Sequence, residues 1–197
     1  MKLLELLHGT ATGLFPPADG TVIVIPEAPG PAAAVLGFTA HFVVCAPVDP
    51  AWVHTQLPPG DLSAPLGARF IVALADRLDA HIGAHDAVLA AVAHSTTPAI
   101  ELEPVDASDH PRTVRARRYR EDIRVWVTPN GDGLVLLGRG VAGRWEVSFD
   151  VAASARGRNL GRDLAAAALG LLPEGTPVFA QVSPGNAASM RSVLAVG

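Results

Sequence analysis

The stretch from Ile123 to Val182 constrains the chain more than any other part of it. "IRVWVT" and "LVLLGRGV" read as strands, and the "PNGDG" between them offers Asn-Gly and Asp-Gly pairs that accept the positive backbone angles of a turn. A second short turn, "AGR", leads into "WEVSFDV", where Trp145, Val147, Phe149 and Val151 alternate with Glu146, Ser148 and Asp150. Three strands joined this tightly predict an antiparallel meander with one buried face. The period then changes. In "SARGRNLGRDLAAAALGLL" the residues Leu160, Leu164, Ala168 and Leu171 fall on one face of a helix, and "PVFAQVS" follows as a buried strand. A strand, helix and strand in that order predict parallel pairing of "PVFAQVS" with "WEVSFDV". "NAASMRSVLAVG" reads as a closing helix capped by Asn186.

The first half is less regular. "TVIVI" and "AVLGFTAHFVVC" are β-branched, bounded by Pro and Gly, and read as strands. After Ser63 and Pro65 a helix is expected, with Phe70, Leu74 and Leu78 inward and Asp76 and Arg77 outside that stripe. "DAVLAAVA" reads as another strand, and "RTVRARRYRED" as a short basic helix. Turn residues and prolines between Ser95 and Pro111 mark a boundary, drawn between an N-terminal α/β portion (1–105) and a second unit (106–197).

Charge divides the chain at the same place. Three basic and ten acidic residues precede Asp106, and twelve basic and nine acidic follow Val105. A net charge of −4 argues against general nucleic-acid binding, while a local basic rim can still hold a small polyanion. The apolar runs fall short of the roughly 20 residues of a membrane crossing. The opening "MKLLELLHGTATGLFPPA" is interrupted by Glu5 and His8 and does not read as a secretion signal, so the expected compartment is the cytoplasm. Cys45, the single cysteine, sits in an apolar run and reads as a buried inert thiol. His81 and His85 lie four apart in "HIGAH", but no third ligand accompanies them and Gly83 interrupts a helix there, so no metal site is expected.

The entrance to the alanine-rich helix carries Arg156, Arg158 and Arg162 around Gly157 and Gly161. A helix start presents unpaired N–H groups and the positive end of the helix dipole, glycines let a bulky group approach, and arginines add forked donors. The chemistry suits a phosphate. The spacing is neither the dinucleotide fingerprint nor the nucleotide-triphosphate loop.

The run from "WEVSFDV" through "ARGRNLGRDL" to "PVFAQVSPGNAASMRSVL" resembles the GNAT superfamily of acetyl-CoA-dependent N-acetyltransferases, over roughly residues 112 to 197. The resemblance implies an α/β fold with a mixed, mostly antiparallel central sheet flanked by helices. It implies acetyl-CoA as co-substrate, with its diphosphate held by Arg156, Gly157, Arg158, Asn159, Leu160, Gly161 and Arg162. Phe149, Val151 and Ala153 would pair with the pantetheine, the Val151 N–H would polarise the thioester carbonyl, and Asn186 would lie along the cofactor's arm. Glu146 would be the general base, against the simpler reading of a polar strand residue. The implied reaction is acetyl transfer to a primary amine, and the acidic first half would suit a cationic acceptor. The chain departs from the family pattern in three places. Asn159 stands for the motif's first glycine, Val193 stands where a tyrosine is usual, and the final strands of the family sheet do not follow. The last departure is expected to mean either a protein shortened there or an edge that another subunit completes, and it and the vacant tyrosine position favour the alternative of a non-catalytic acyl-CoA-binding or dimer-forming relative.

Overall fold

A computed structural model describes residues 2–83, 85–95 and 99–196. Thr96, Thr97 and Pro98, in the expected boundary segment, and Ala84 in "HIGAH" lie outside these residues. The chain opens with α1 (Leu3–Ala11), which buries Leu3, Leu6 and Leu7. Next come β1 (Val22–Ile25), β2 (Ala34–Phe38) and β3 (His41–Cys45), paired in the order β1-β3-β2 with β1 parallel and β2 antiparallel to β3. The apolar stretch from Ala34 to Cys45 is therefore a hairpin, turned at Thr39 and Ala40, where Ala40 has φ 48°. Every residue of β3 is buried because both of its faces are covered. Val43 and Cys45 meet the leucines of α1, while Val44 meets Val53 of α2 (Pro50–Gln56) and Phe70 and Leu74 of α3 (Ala68–Leu78). The expected helix after Pro65 is α3, with Asp76 and Arg77 exposed. It ends before "HIGAH", at a left-handed Asp79, so His81 and His85 do not share a helix. Helices α1 and α2 were not foreseen from the sequence.

The second sheet begins with β4 (Ala87–Val92) and β5 (Glu103–Pro104). It continues with α4 (Pro111–Ala116), β6 (Glu121–Val127), β7 (Gly133–Arg139), β8 (Trp145–Val151), α5 (Leu160–Leu169), β9 (Pro177–Val182) and α6 (Ala187–Leu194). The strand order is β4-β9-β8-β7-β6-β5, antiparallel except for the β8–β9 pair. The meander and the parallel crossover expected from the sequence are both present. The expected open edge is not: β4 pairs with the outer side of β9 from Ala87 opposite Val182 to Val92 opposite Pro177. A strand of the same chain occupies the place assigned to a second subunit, and the sheet draws β4 and β5 from the acidic first half.

One further expectation is corrected. The meander is covered on two faces, and β7 is buried from Gly133 to Gly138. On one face Val135, Val147, Phe149 and Val151 pack against Leu160, Leu164 and Ala168 of α5. On the other, Leu134, Leu136 and Val125 pack against Ala116 of α4, and Phe179 packs against α1. Alternation in β8 hid this, because Glu146, Ser148 and Asp150 bond to arginines on the second face. The described residues contain mixed α/β structure with two mixed sheets flanked by helices, and no helix among them is long and apolar enough to cross a membrane.

Candidate functional site

β8 and β9 are paired over only three positions, Trp145 with Val178, Glu146 with Phe179 and Val147 with Ala180, and then part. β8 continues for four residues beyond that point. Its orientation there follows from the bonds on its other side. Ala152 N–H donates to the Asp132 carbonyl and Gly140 N–H to the Arg144 carbonyl, which sets the even-numbered residues of β8 toward β7. The N–H groups of Phe149 and Val151 consequently face the gap left by β9. Among the described residues neither has an acceptor. The Val151 carbonyl, on the same edge, accepts from Arg156 Nε at 3.4 Å.

Beyond β8 a 3-10 turn at Ala153–Ala155 carries the chain into the arginine loop. Gly157 (φ 78°) and Asn159 (φ 64°) are both left-handed, and Asn159 is the N-cap of α5 without making a side-chain cap. Asparagine tolerates this region better than most residues. No residue among those described accepts a bond from the main-chain N–H groups of residues 156–161, and Arg156, Arg158 and Arg162 are exposed. Gly161 lies where a Cβ would come 3.0 Å from Ser192 Oγ of α6 and 3.5 Å from Phe149, so glycine lets α5, α6 and β8 converge at this corner. Asn186 caps α6 as expected, its Oδ1 accepting from Ser189 N–H at 3.1 Å. The loop and the open edge of β8 are the sequence-predicted site residues that the fold brings together beside the β8–β9 gap, and Asn186 opens the helix that follows β9.

Glu146 stands apart from them. It lies where β8 and β9 are still paired, is 2 % exposed, and points to the face opposite α5. Its Oε2 accepts from Arg120 Nε at 2.9 Å, and its Oε1 accepts from Arg144 Nε at 2.9 Å and from Val141 N–H at 3.2 Å. A Cβ at Gly140 would fall on this carboxylate, so glycine is required there. Arg144 is itself 1 % exposed and its guanidinium lies 4.7 Å from the Phe179 ring centre. Burial pulls the Arg120 guanidinium below its usual pKa, Glu146 opposes that shift, and Arg144 and Arg112 add to it. Arginine remains charged through such shifts. Glu146 is thus the anchor of two buried cations. Sequence reading missed Arg120 and Arg144; the signals were that a glutamate in a strand flanked by apolar neighbours requires partners if both faces are covered, and that Arg144, two residues before it, falls on the same side of extended backbone.

Further along the same face the charges become accessible. Arg120 Nη1 donates to Ser148 Oγ at 3.1 Å, and Arg112 Nη2 donates to Asp150 Oδ1 at 3.3 Å. His110 Nε2 lies 3.9 Å from Asp150 Oδ2, while its Nδ1 accepts from Arg112 N–H at 3.2 Å. His110, Asp150, Asp132 and Ala152 help line a cavity of about 190 Å³. A larger groove of about 770 Å³ lies between α4 and β6, lined in part by Thr113, Arg117, Arg120, Ile123 and Trp126. None of the expected cofactor residues lines either cavity. Val193, where the family tyrosine is usual, is half-buried within α6. Among the described residues no group of three or more His, Cys, Asp or Glu side chains is placed to hold a metal ion. His41 bonds through Nδ1 to Asp19 at 3.1 Å, and its Nε2 is buried without a partner.

No family model, curated protein or solved structure matches this chain.

Proposed function

We propose that this chain binds acetyl-CoA across the β8–β9 gap and transfers its acetyl group to a primary amine, in the manner of the GNAT superfamily that its second half resembles. The observation that supports this reading best is the pair of unpartnered main-chain donors, Phe149 and Val151 N–H, facing a gap between parallel strands beside an exposed arginine loop. An extended pantetheine amide chain can take the place of the missing strand. The free N–H groups of residues 156–161 suit a diphosphate, with Arg158 and Arg162 adding charge from the rim. Val151 N–H would donate to the thioester oxygen and stabilise the negative charge that develops on it. Holding amine and thioester together supplies most of what direct attack needs.

A second reading, binding without transfer, is favoured by one observation: Glu146, the carboxylate expected to act as base, is buried with both oxygens bonded. Two measurements separate the readings. Isothermal titration with acetyl-CoA is expected to give saturable binding, and its absence at millimolar ligand defeats both. Release of free CoA thiol over a panel of primary amines is expected if transfer occurs, and binding without release selects the second. Arg158→Glu reverses a charge at the rim and is expected to weaken acetyl-CoA binding by more than about tenfold, roughly the effect of losing a charge-assisted contact. Unchanged affinity would move the site elsewhere.

A further inference from the structure

Glu146 and Asp150 project from the same face of β8 four residues apart, yet they sit on opposite sides of the point where β9 departs. Glu146 lies opposite Phe179, within the paired region, and is sealed. Asp150 lies between Phe149 and Val151, the two residues whose N–H groups face the gap, and its side chain is 43 % exposed. Direction of attack then favours one carboxylate. A thioester carbonyl accepting from Val151 N–H lies near the plane of the sheet, and a nucleophile must approach it from above or below that plane. The α5 side is filled by the Phe149 and Val151 side chains packed on Leu160 and Leu164. The approach from the other face passes Asp150, whose side chain is half-exposed. A group in the gap sits about one strand spacing, roughly 5 Å, from the β8 backbone, within reach of a short carboxylate directly or through one water.

We infer that Asp150, rather than Glu146, is the catalytic residue that receives the amine's proton; this rests on the acetyl-transfer reading above. The amine nitrogen bonds to the thioester carbon, the C–S bond breaks, and the nitrogen's extra proton passes to the Asp150 carboxylate and then to solvent. The departing sulfur takes up a proton from water, so amide and CoA thiol are the products. The groups facing Asp150 are His110 and Arg112 at the start of α4, Asp132 from the turn after β6, and Ser148 with Arg120 next along β8. Arg112 holds the carboxylate in place, and a negative side chain at the approach favours a cationic acceptor, whose ammonium gives one proton to solvent before the neutral nitrogen attacks.

Asp150→Asn and Asp150→Glu test this with the full chain, acetyl-CoA and whichever panel amine turns over. Asp150→Asn is expected to leave acetyl-CoA affinity by calorimetry within about twofold, to lower kcat by about a hundredfold or more, and to remove the acidic limb of the kcat–pH profile. Asp150→Glu is expected to restore that limb. A merely structural aspartate would change stability or KM without moving the limb, so an Asp150→Asn enzyme that keeps both kcat and limb overturns the inference alone. No turnover by the unmodified chain defeats the transfer reading and this inference with it.

Discussion

Glu146 shows how a single side chain can fix a local structure. One carboxylate holds Arg120 and Arg144 below the surface, and both are too buried to be left unpaired. Glu146→Ala would strand two guanidinium groups, and removal of one member of a buried pair costs about 3–5 kcal/mol. Urea unfolding monitored by circular dichroism is expected to show a loss of that size; a loss below 1 kcal/mol would mean that water reaches the site. Cys45 gives a second residue-level expectation. Burial, with Glu27 adding to it, pushes its thiol from an ordinary 9.0 up to about 11. The folded state therefore keeps the proton longer than the unfolded chain does. Its contribution is full below pH 9 and is lost as pH rises toward 11, by about 2–3 kcal/mol. Unfolding titrations between those limits should show this decline in excess over a Cys45→Ala chain; equal slopes would refute it.

At the scale of elements, β8 is a strand with two different edges. Its even residues bond to β7 throughout, while its odd residues bond to β9 only as far as Val147. Val151→Pro removes one donor from the open edge without touching a bond to β7, a position where proline is tolerated. If that donor polarises a thioester, kcat is expected to fall by about a hundredfold to a thousandfold, with the melting temperature nearly unchanged. An unaffected kcat would assign the donor no role. The same strand shows what was legible beforehand. The meander, the crossover helix with Leu164 and Ala168 inward, the parallel partner and the Asn186 cap are set by local periodicity and turn chemistry, and the sequence displays these directly. Of the partners of Glu146, Arg144 stands two residues before it, within the reach of strand spacing, whereas Arg120 comes from beyond the end of α4 and no spacing rule records it. The β4–β9 pairing was hidden for the same reason. "DAVLAAVA" reads as a strand, but its neighbour lies some ninety residues away.

At the scale of the whole molecule, α1 joins what composition had separated. Leu3, Leu6 and Leu7 contact Val43 and Cys45 of the first sheet and Phe179 of the second, in one cluster. The acidic and basic halves therefore share a core. Leu7 is 2 % exposed, and Leu7→Ala is expected to destabilise the protein by about 2–5 kcal/mol. Both sheets should still unfold in one transition, reported alike by Trp52 beside α3 and by Trp126 and Trp145 in the second sheet. Separate midpoints would mean that the sheets are independent. The pairing of β4 with β9 has a further effect, on the order in which a nascent chain can mature. At about 5–20 residues per second, a ribosome delivers β9 several seconds or more after β4. During that delay β4 has no strand to join, and a neighbouring nascent molecule can offer its own β9 first. Exchange of this strand between molecules is the characteristic misassembly of such an arrangement, and refolding yield should fall as concentration rises.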